Sequence, residues 1–277
     1  MHTPLCKHAE GHPREYVRVG HGRGLKGVIF TCHSPMPDGW SAWARMDPEQ
    51  LDDYVRLVDE ARESAPEGFE VRLGLESDFF PGMEPWLEKL HGQAEFHYIL
   101  GSVHWHLTEY RDAFWKGDIR AFHRQYFAHL AESAETGLFD ALAHPDLVKN
   151  ASPEAWDLRG SLAEVVQAAL DRIARTGVAM ELNTSGVTKI YSEVNPGRVI
   201  LRWMRDRGIP VVVGSDAHRP QRVGDGFLAA LDLLEDTGYQ EVALFQGRQR
   251  RALPIAQVRA SLRSSDFAVP ALAAPPR

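Results

Sequence analysis

The stretch Ile209-Pro210-Val211-Val212-Val213-Gly214-Ser215-Asp216-Ala217-His218 decides how this chain is read. Its apolar part, from Ile209 to Val213, has the character of a buried strand, and it runs out in an Asp and a His two residues apart. Side chains on extended backbone repeat with a period of two, so Asp216 and His218 can point to the same side where the strand ends. A carboxylate and an imidazole converging there suit a divalent metal. The other reading is an Asp that caps the next helix beside a loop histidine. What separates the two is recurrence of the pattern.

Working outward, short apolar runs rich in β-branched residues alternate with helical patterns, which predicts repeated strand–helix units and a parallel sheet. The predicted strands cover 28–31, 71–75, 98–103, 141–144, 178–182 and 209–214, with a last one at 241–245. Asp47-Pro48-Glu49-Gln50 opens a helix with a cap, a first-position Pro and an early acid. Asp118 caps another, with an apolar stripe at Ile119, Phe122, Tyr126 and Leu130 and a stop at Gly137. A third runs from Ser161 to Gly177, and a fourth over 196–207 ends at Gly208. Three glycines between Val19 and Gly24 burden the first helix. One domain over 1–268 is predicted, followed by a frayed Pro- and Ala-rich tail at 269–277.

The 277 residues, 44% hydrophobic and 25% charged, are enough for one large α/β domain with a sizeable core. A net charge of −7 gives no electrostatic footprint for DNA or RNA, so no nucleic-acid partner is expected. Cys6 and Cys32 are too few for a disulfide framework. No apolar run reaches membrane-spanning length and the start carries no signal-peptide core, so a cytoplasmic protein without membrane contact is expected. Oligomeric state is not legible. Of the 13 histidines, His21, His91, His97, His123 and His129 sit in polar or helical contexts and read as surface or packing residues.

Four of the others, His33, His104, His144 and His218, fall at strand ends. Thr31-Cys32-His33-Ser34 ends the first strand, Gly74-Leu75-Glu76 the second, and Gly101-Ser102-Val103-His104 the third. Ala143-His144-Pro145-Asp146, Glu181-Leu182-Asn183 and Asp216 with His218 end the next three. In a closed α/β barrel the carboxyl ends of all strands converge on one face. The opening residues His2, Cys6 and His8 add a further donor-bearing segment.

The segments HTPLCKHAEGHP, TCHSPMP, GLESDFFPG, GSVHW, AHPDL, ELNTSG and GSDAHRPQRVG resemble, in order, the motifs of the PHP (polymerase and histidinol phosphatase) superfamily, and most closely its monofunctional histidinol-phosphate phosphatases. The resemblance implies a distorted (β/α)7 barrel with a cluster of two or three divalent ions (Zn, Fe or Mn) at the strands' carboxyl ends. It implies a first site of His2, Glu76 and Asp216, a second of Glu76, His104 and His144, and a third of His8, His33 and His218. The family's first histidine would lie one position before Met1. The resemblance therefore implies that the natural protein begins a few residues upstream, so that the first strand is truncated here. Cys32 stands where the family usually has Asp, and Thr188 where it often has Arg.

The activity implied is hydrolysis of L-histidinol phosphate to L-histidinol and phosphate in histidine biosynthesis, by attack of a metal-bridging hydroxide. Glu76, Asp216 and His218 are the candidate catalytic residues, with Asp216 or a nearby His protonating the leaving alkoxide. Arg45, Lys149, Lys189 and Arg219 are candidates for holding the small-molecule phosphate ester. Alternatives are a phosphoesterase for another small ester or a nucleotide, or a catalytically impaired metal-binding relative. No Gly-x-Ser-x-Gly elbow and no phosphate-binding Gly-x4-Gly-Lys loop is present.

Overall fold

The computed structural model describes residues 1–262, so the tail expected at 269–277 lies outside the described residues. Within them six strands run parallel in one curled sheet, neighbours in space being neighbours in sequence. They are β1 (Gly27–Phe30), β2 (Glu70–Asp78), β3 (Tyr98–Ser102), β4 (Ala141–Leu142), β5 (Ala179–Asn183) and β6 (Val211–Gly214). Val28 lies opposite Val71, Leu75 opposite Ile99, Ala141 opposite Ala179, and Leu182 opposite Val213. Their near-continuous apolar sequence suits strands covered on both faces.

The connecting helices are α1 (Pro13–Gly22), α2 (Leu51–Glu63), α3 (Glu84–His91), α4 (Thr108–Phe114), α5 (Ile119–Glu135), α6 (Ser161–Thr176), α7 (Arg198–Asp206) and α8 (Phe227–Thr237). Local chemistry starts and stops them. The Asp118 carboxylate accepts from Arg120 N and Ala121 N at the head of α5, and Gly177 takes the left-handed conformation that ends α6. The glycines of α1 do not break it. Gly20 sits where a Cβ would press on Val28 and Phe69, so the helix packs closely on β1. Tyr16, Tyr54, Leu75, Leu87 and Leu130 fill the layer between helices and sheet. A smaller cluster of Tyr98, Leu100, Ala141, Ala143, Ala179, Val212, Ala243 and Phe245 fills the inside of the curl.

The strand expected at 241–245 forms but does not join the parallel sheet. β7 (Glu241–Gln246) pairs antiparallel with β8 (Gln249–Pro254), ahead of a final helix α9 (Ile255–Ser261). The two-residue turn Gly247-Arg248, with both φ positive at 55° and 63°, has the geometry that matches hairpin twist and folds β7 back on β8.

At the carboxyl end the curl is latched by the first residues. Thr31 N donates to Met1 O (2.8 Å) and His2 N donates to Ala217 O (3.0 Å), tying β1 to the segment after β6. Deeper between β1 and β6 lies a cavity of about 660 Å³, lined by Val28, Ile29, Val212, Val213 and Phe227. No described helix is long and apolar enough to cross a membrane.

Candidate metal centre

Each strand end delivers its polar residue to the latched mouth. Glu76, inside β2 and 2% exposed, is the hub. Its Oε1 lies 3.1 Å from His144 Nε2 and 3.3 Å from His104 Nε2. Its Oε2 lies 3.3 Å from His2 Nε2 and 3.6 Å from His33 Nδ1. Asp216 Oδ1 reaches His2 Nε2 at 3.0 Å, while Ser185 Oγ donates to Oδ2 at 3.1 Å. The His218 ring stacks on His2 with centroids 3.9 Å apart, and His8 lies 4.6 Å from His218 and 5.3 Å from His33. All eight residues expected as ligands are thus brought together. His8, His33 and His218 form the loosest trio, with the His33 and His218 rings 6.0 Å apart.

Backbone strain marks two of these positions. Asp216 has φ +46° and His144 φ +25°, a region that non-glycine residues occupy at a cost of about 1–3 kcal/mol. The turn at His144 also explains why β4 stops at Leu142 rather than at the expected 144: its N–H leaves the ladder and donates to Glu181 Oε2 at 3.0 Å.

Burial by itself would raise the Glu76 carboxyl, but His33, His104, His144 and His2 hold it well below the usual carboxylate range. Burial likewise opposes the ionisation of Asp216, and His2 and His218 overcome it. Burial pushes His33 well below its ordinary value, His218 to about 3, and His8 down as well. These three rings are neutral near pH 7, the form in which imidazole binds a metal. His218 Nδ1 donates to Asp216 O at 3.0 Å, so its lone pair sits on Nε2, which is buried without a hydrogen-bond partner. His8 Nδ1 donates to Cys6 O at 2.7 Å in the same way.

The residues fit divalent cations. Donor atoms of His2, Glu76 and Asp216 lie within 4.8 Å of one another, as do those of His33, Glu76 and His104, and of His2, His33 and His218. Nitrogen and carboxylate oxygen at this spacing, with an orphaned buried imidazole nitrogen among them, match what Zn, Fe or Mn accept.

Several residues outside the expected set support this cluster. Asp78 contacts His104 Nδ1 and accepts from Ser102 Oγ at 3.0 Å. It lies two residues beyond Glu76 on the same strand, so the period-two rule puts it on the same face. Glu181 holds the backbone of His144 and the side chain of Asn183. Of the four expected phosphate holders, Arg45 is buried with Nη2 2.7 Å from Asp78 Oδ2 and Nη1 donating to Ser34 O. Lys149 is buried between Asp146, Glu193 and the carbonyl of Val194. Arg219 is exposed and pairs with Glu10. Lys189 is exposed, near enough to His106 to help burial and His104 depress that ring to about 3.

A curled parallel barrel with histidines and carboxylates gathered at its carboxyl mouth defines the class: a barrel protein with a candidate metal centre at the strands' carboxyl ends. The chain belongs to the PHP domain family, which it matches over residues 1–185, and residues 198–232 match a PHP-associated family. It is similar to a probable histidinol-phosphatase of Deinococcus radiodurans, 38% identical over 92% of this chain and 97% of that one. A histidinol-phosphatase of Bacillus subtilis is 25% identical over 84% of this chain and 97% of its own length. The structure of a Lactococcus lactis histidinol phosphate phosphatase, complexed with Zn, L-histidinol and phosphate, superposes with a TM-score of 0.73. At 18% identity over 91% of this chain and 97% of that one, it shows the shared fold, a distorted barrel.

Proposed function

We propose that the protein hydrolyses L-histidinol phosphate, releasing L-histidinol and phosphate. The observation that carries the reading is Glu76, one buried carboxylate with four imidazoles within 3.6 Å of its oxygens. Such a hub would hold divalent cations, and phosphate-monoester hydrolysis needs its charge neutralised and its nucleophile positioned. The Deinococcus relative, named a probable histidinol-phosphatase, supports the substrate.

His2, Glu76 and Asp216 would hold one divalent ion, Glu76, His104 and His144 a second, and His8, His33 and His218 a third. Bound there, such ions supply Lewis acidity to the phosphoryl oxygens and lower the pKa of water. The chain's own residues do the rest. His8 and His218, each donating through Nδ1 to a backbone carbonyl, keep the lone pair on Nε2, and neutral His8, His33 and His218 bring no positive charge of their own. Ser185 Oγ donates to Asp216 Oδ2, which fixes the orientation of the ionised carboxylate that would hold the first ion. Lys189, on the turn after β5, offers a positive side chain to the phosphate. Arg45 works one step back, neutralising Asp78.

The test is phosphate release from L-histidinol phosphate with Mn or Zn, set against a His104→Ala control and against nucleoside monophosphates. Release above the control, selective for L-histidinol phosphate, is expected. Equal release from wild type and control overturns the reading, and a preference for nucleotides replaces its substrate.

A further inference from the structure

Cys6 and Cys32 have no part in the function proposed above. Cys6 ends a 3-10 turn over Pro4–Cys6 and Cys32 follows β1; both are fully buried and both are free thiols. They meet beside His2: the two Sγ atoms and a ring nitrogen of His2 lie within 4.8 Å of one another. His2 Nε2 faces Asp216 and Glu76, while its Nδ1 is buried and has no hydrogen-bond partner. The two nitrogens of an imidazole point in divergent directions, so Nδ1 is the one left for the sulfurs. Two donors also converge on Cys32: Thr3 N at 3.4 Å and Thr3 Oγ1 at 3.3 Å from Sγ.

We propose that Cys6, Cys32 and Nδ1 of His2 form a second, sulfur-rich cation site behind the histidine–carboxylate centre, taking a thiophilic d10 ion such as Zn²⁺, Cd²⁺ or Cu⁺. Thiolate selects such ions, whereas the oxygen and nitrogen donors of the outer centre are harder. Tetrahedral bonds of about 2.3 Å from metal to sulfur put two sulfurs roughly 3.8 Å apart, within a side-chain rotation of the spacing found here. As each sulfur–metal bond forms, the thiol gives its proton to solvent. The two sites share the His2 ring through opposite nitrogens, and Cys6 Sγ also lies within 4.8 Å of ring nitrogens of His8 and His218, so the sulfur site adjoins the outer centre. Occupation of the sulfur site therefore fixes the orientation of a residue that the outer centre also uses. The inference does not depend on which ester the outer centre cleaves.

The test titrates metal-free full-length protein with Cd²⁺, in a reductant that carries no thiol, and follows sulfur-to-metal charge-transfer absorption in the near ultraviolet. A band that saturates, weakens in Cys6→Ser or Cys32→Ser and vanishes in the double variant is expected. The band should persist in His104→Ala, which removes a donor of the outer centre alone. Absence of the band in wild type, or its survival in the double variant, overturns the proposal. X-ray absorption of the zinc-loaded wild type gives a readout that needs no variant to fold. A sulfur shell near about 2.3 Å supports the site, and a shell of nitrogen and oxygen alone overturns it.

Discussion

Asp78 holds Nδ1 of His104 with one carboxylate oxygen, and thereby aims Nε2 of that ring at Glu76 Oε1, 3.3 Å away. Its other oxygen is held by Arg45 at 2.7 Å. Burial works against a charged His104, yet Asp78 raises the ring to about 10 in the absence of metal. Such partners of ligating histidines set the tautomer and the ring angle. Asp78→Asn should weaken metal affinity, and phosphate release with it, by about 10–100-fold. It also strands the buried Arg45, which costs about 3–5 kcal/mol of stability. Metal titration and urea unfolding read the two effects separately.

Glu76→Gln removes the carboxylate shared by His2, His33, His104 and His144. An amide presents one oxygen and one NH2 to four imidazoles, so half of the hub repels what the carboxylate attracted. Metal content after dialysis, measured by mass spectrometry, should fall, and phosphate release should fall by at least about a hundredfold. Retention of full metal content would show that Glu76 is not the hub.

Gly214→Ala is a packing test of the same mouth. A Cβ at Gly214 would lie 1.8 Å from Glu181 Oε1, on the carboxylate whose other oxygen holds His144 N. The side chain must move, breaking its bonds to His144 and to Asn183 Nδ2. Overpacking of this kind costs about 1–3 kcal/mol. Thermal unfolding should show that loss, accompanied by weaker metal binding because His144 loses its support.

Acid sensitivity should come partly from histidines remote from the mouth. His123 and His129 on α5 are buried and uncharged, and burial lowers both to about 4. In the unfolded chain they titrate near 6.5. The unfolded state therefore binds the extra protons first as pH falls. Stability from these two rings is complete above pH 6.5 and is lost as pH drops toward 4, by roughly 1 kcal/mol per pH unit for each. Urea midpoints measured from pH 7 to 4.5 should fall less steeply in His123→Gln.

The cluster of candidate ligands was legible because chain direction alone delivers every strand's last residue to one face. His33, Glu76, His104, His144 and Asp216 needed no knowledge of contacts to be picked out. The charged side chains were harder to read. Arg45 and Lys149 look alike in sequence to any free cation, and their neutralising partners follow from packing: Asp78 for one, Asp146 with Glu193 for the other. Asp78 carried a usable signal, the Glu-Ser-Asp alternation of β2, which goes unread when the strand is taken to end at Glu76. The fate of the last strand was also written locally, in Gly247-Arg248, whose positive φ pair folds β7 back on β8. The meeting of Cys6 with Cys32 depends on the latch between chain start and β1, which no periodicity reports.

With an ion at the proposed centre, that latch would make barrel closure and ion binding parts of one equilibrium. His2 contributes its backbone N–H to the bond with Ala217 O and its ring to Asp216 and Glu76. An ion gripped by that ring would pull the barrel mouth shut, and a mouth that springs open would take one candidate ligand away from it. Reciprocity then requires that whatever stabilises the closed mouth raises ion affinity by the same factor by which bound ion favours closure.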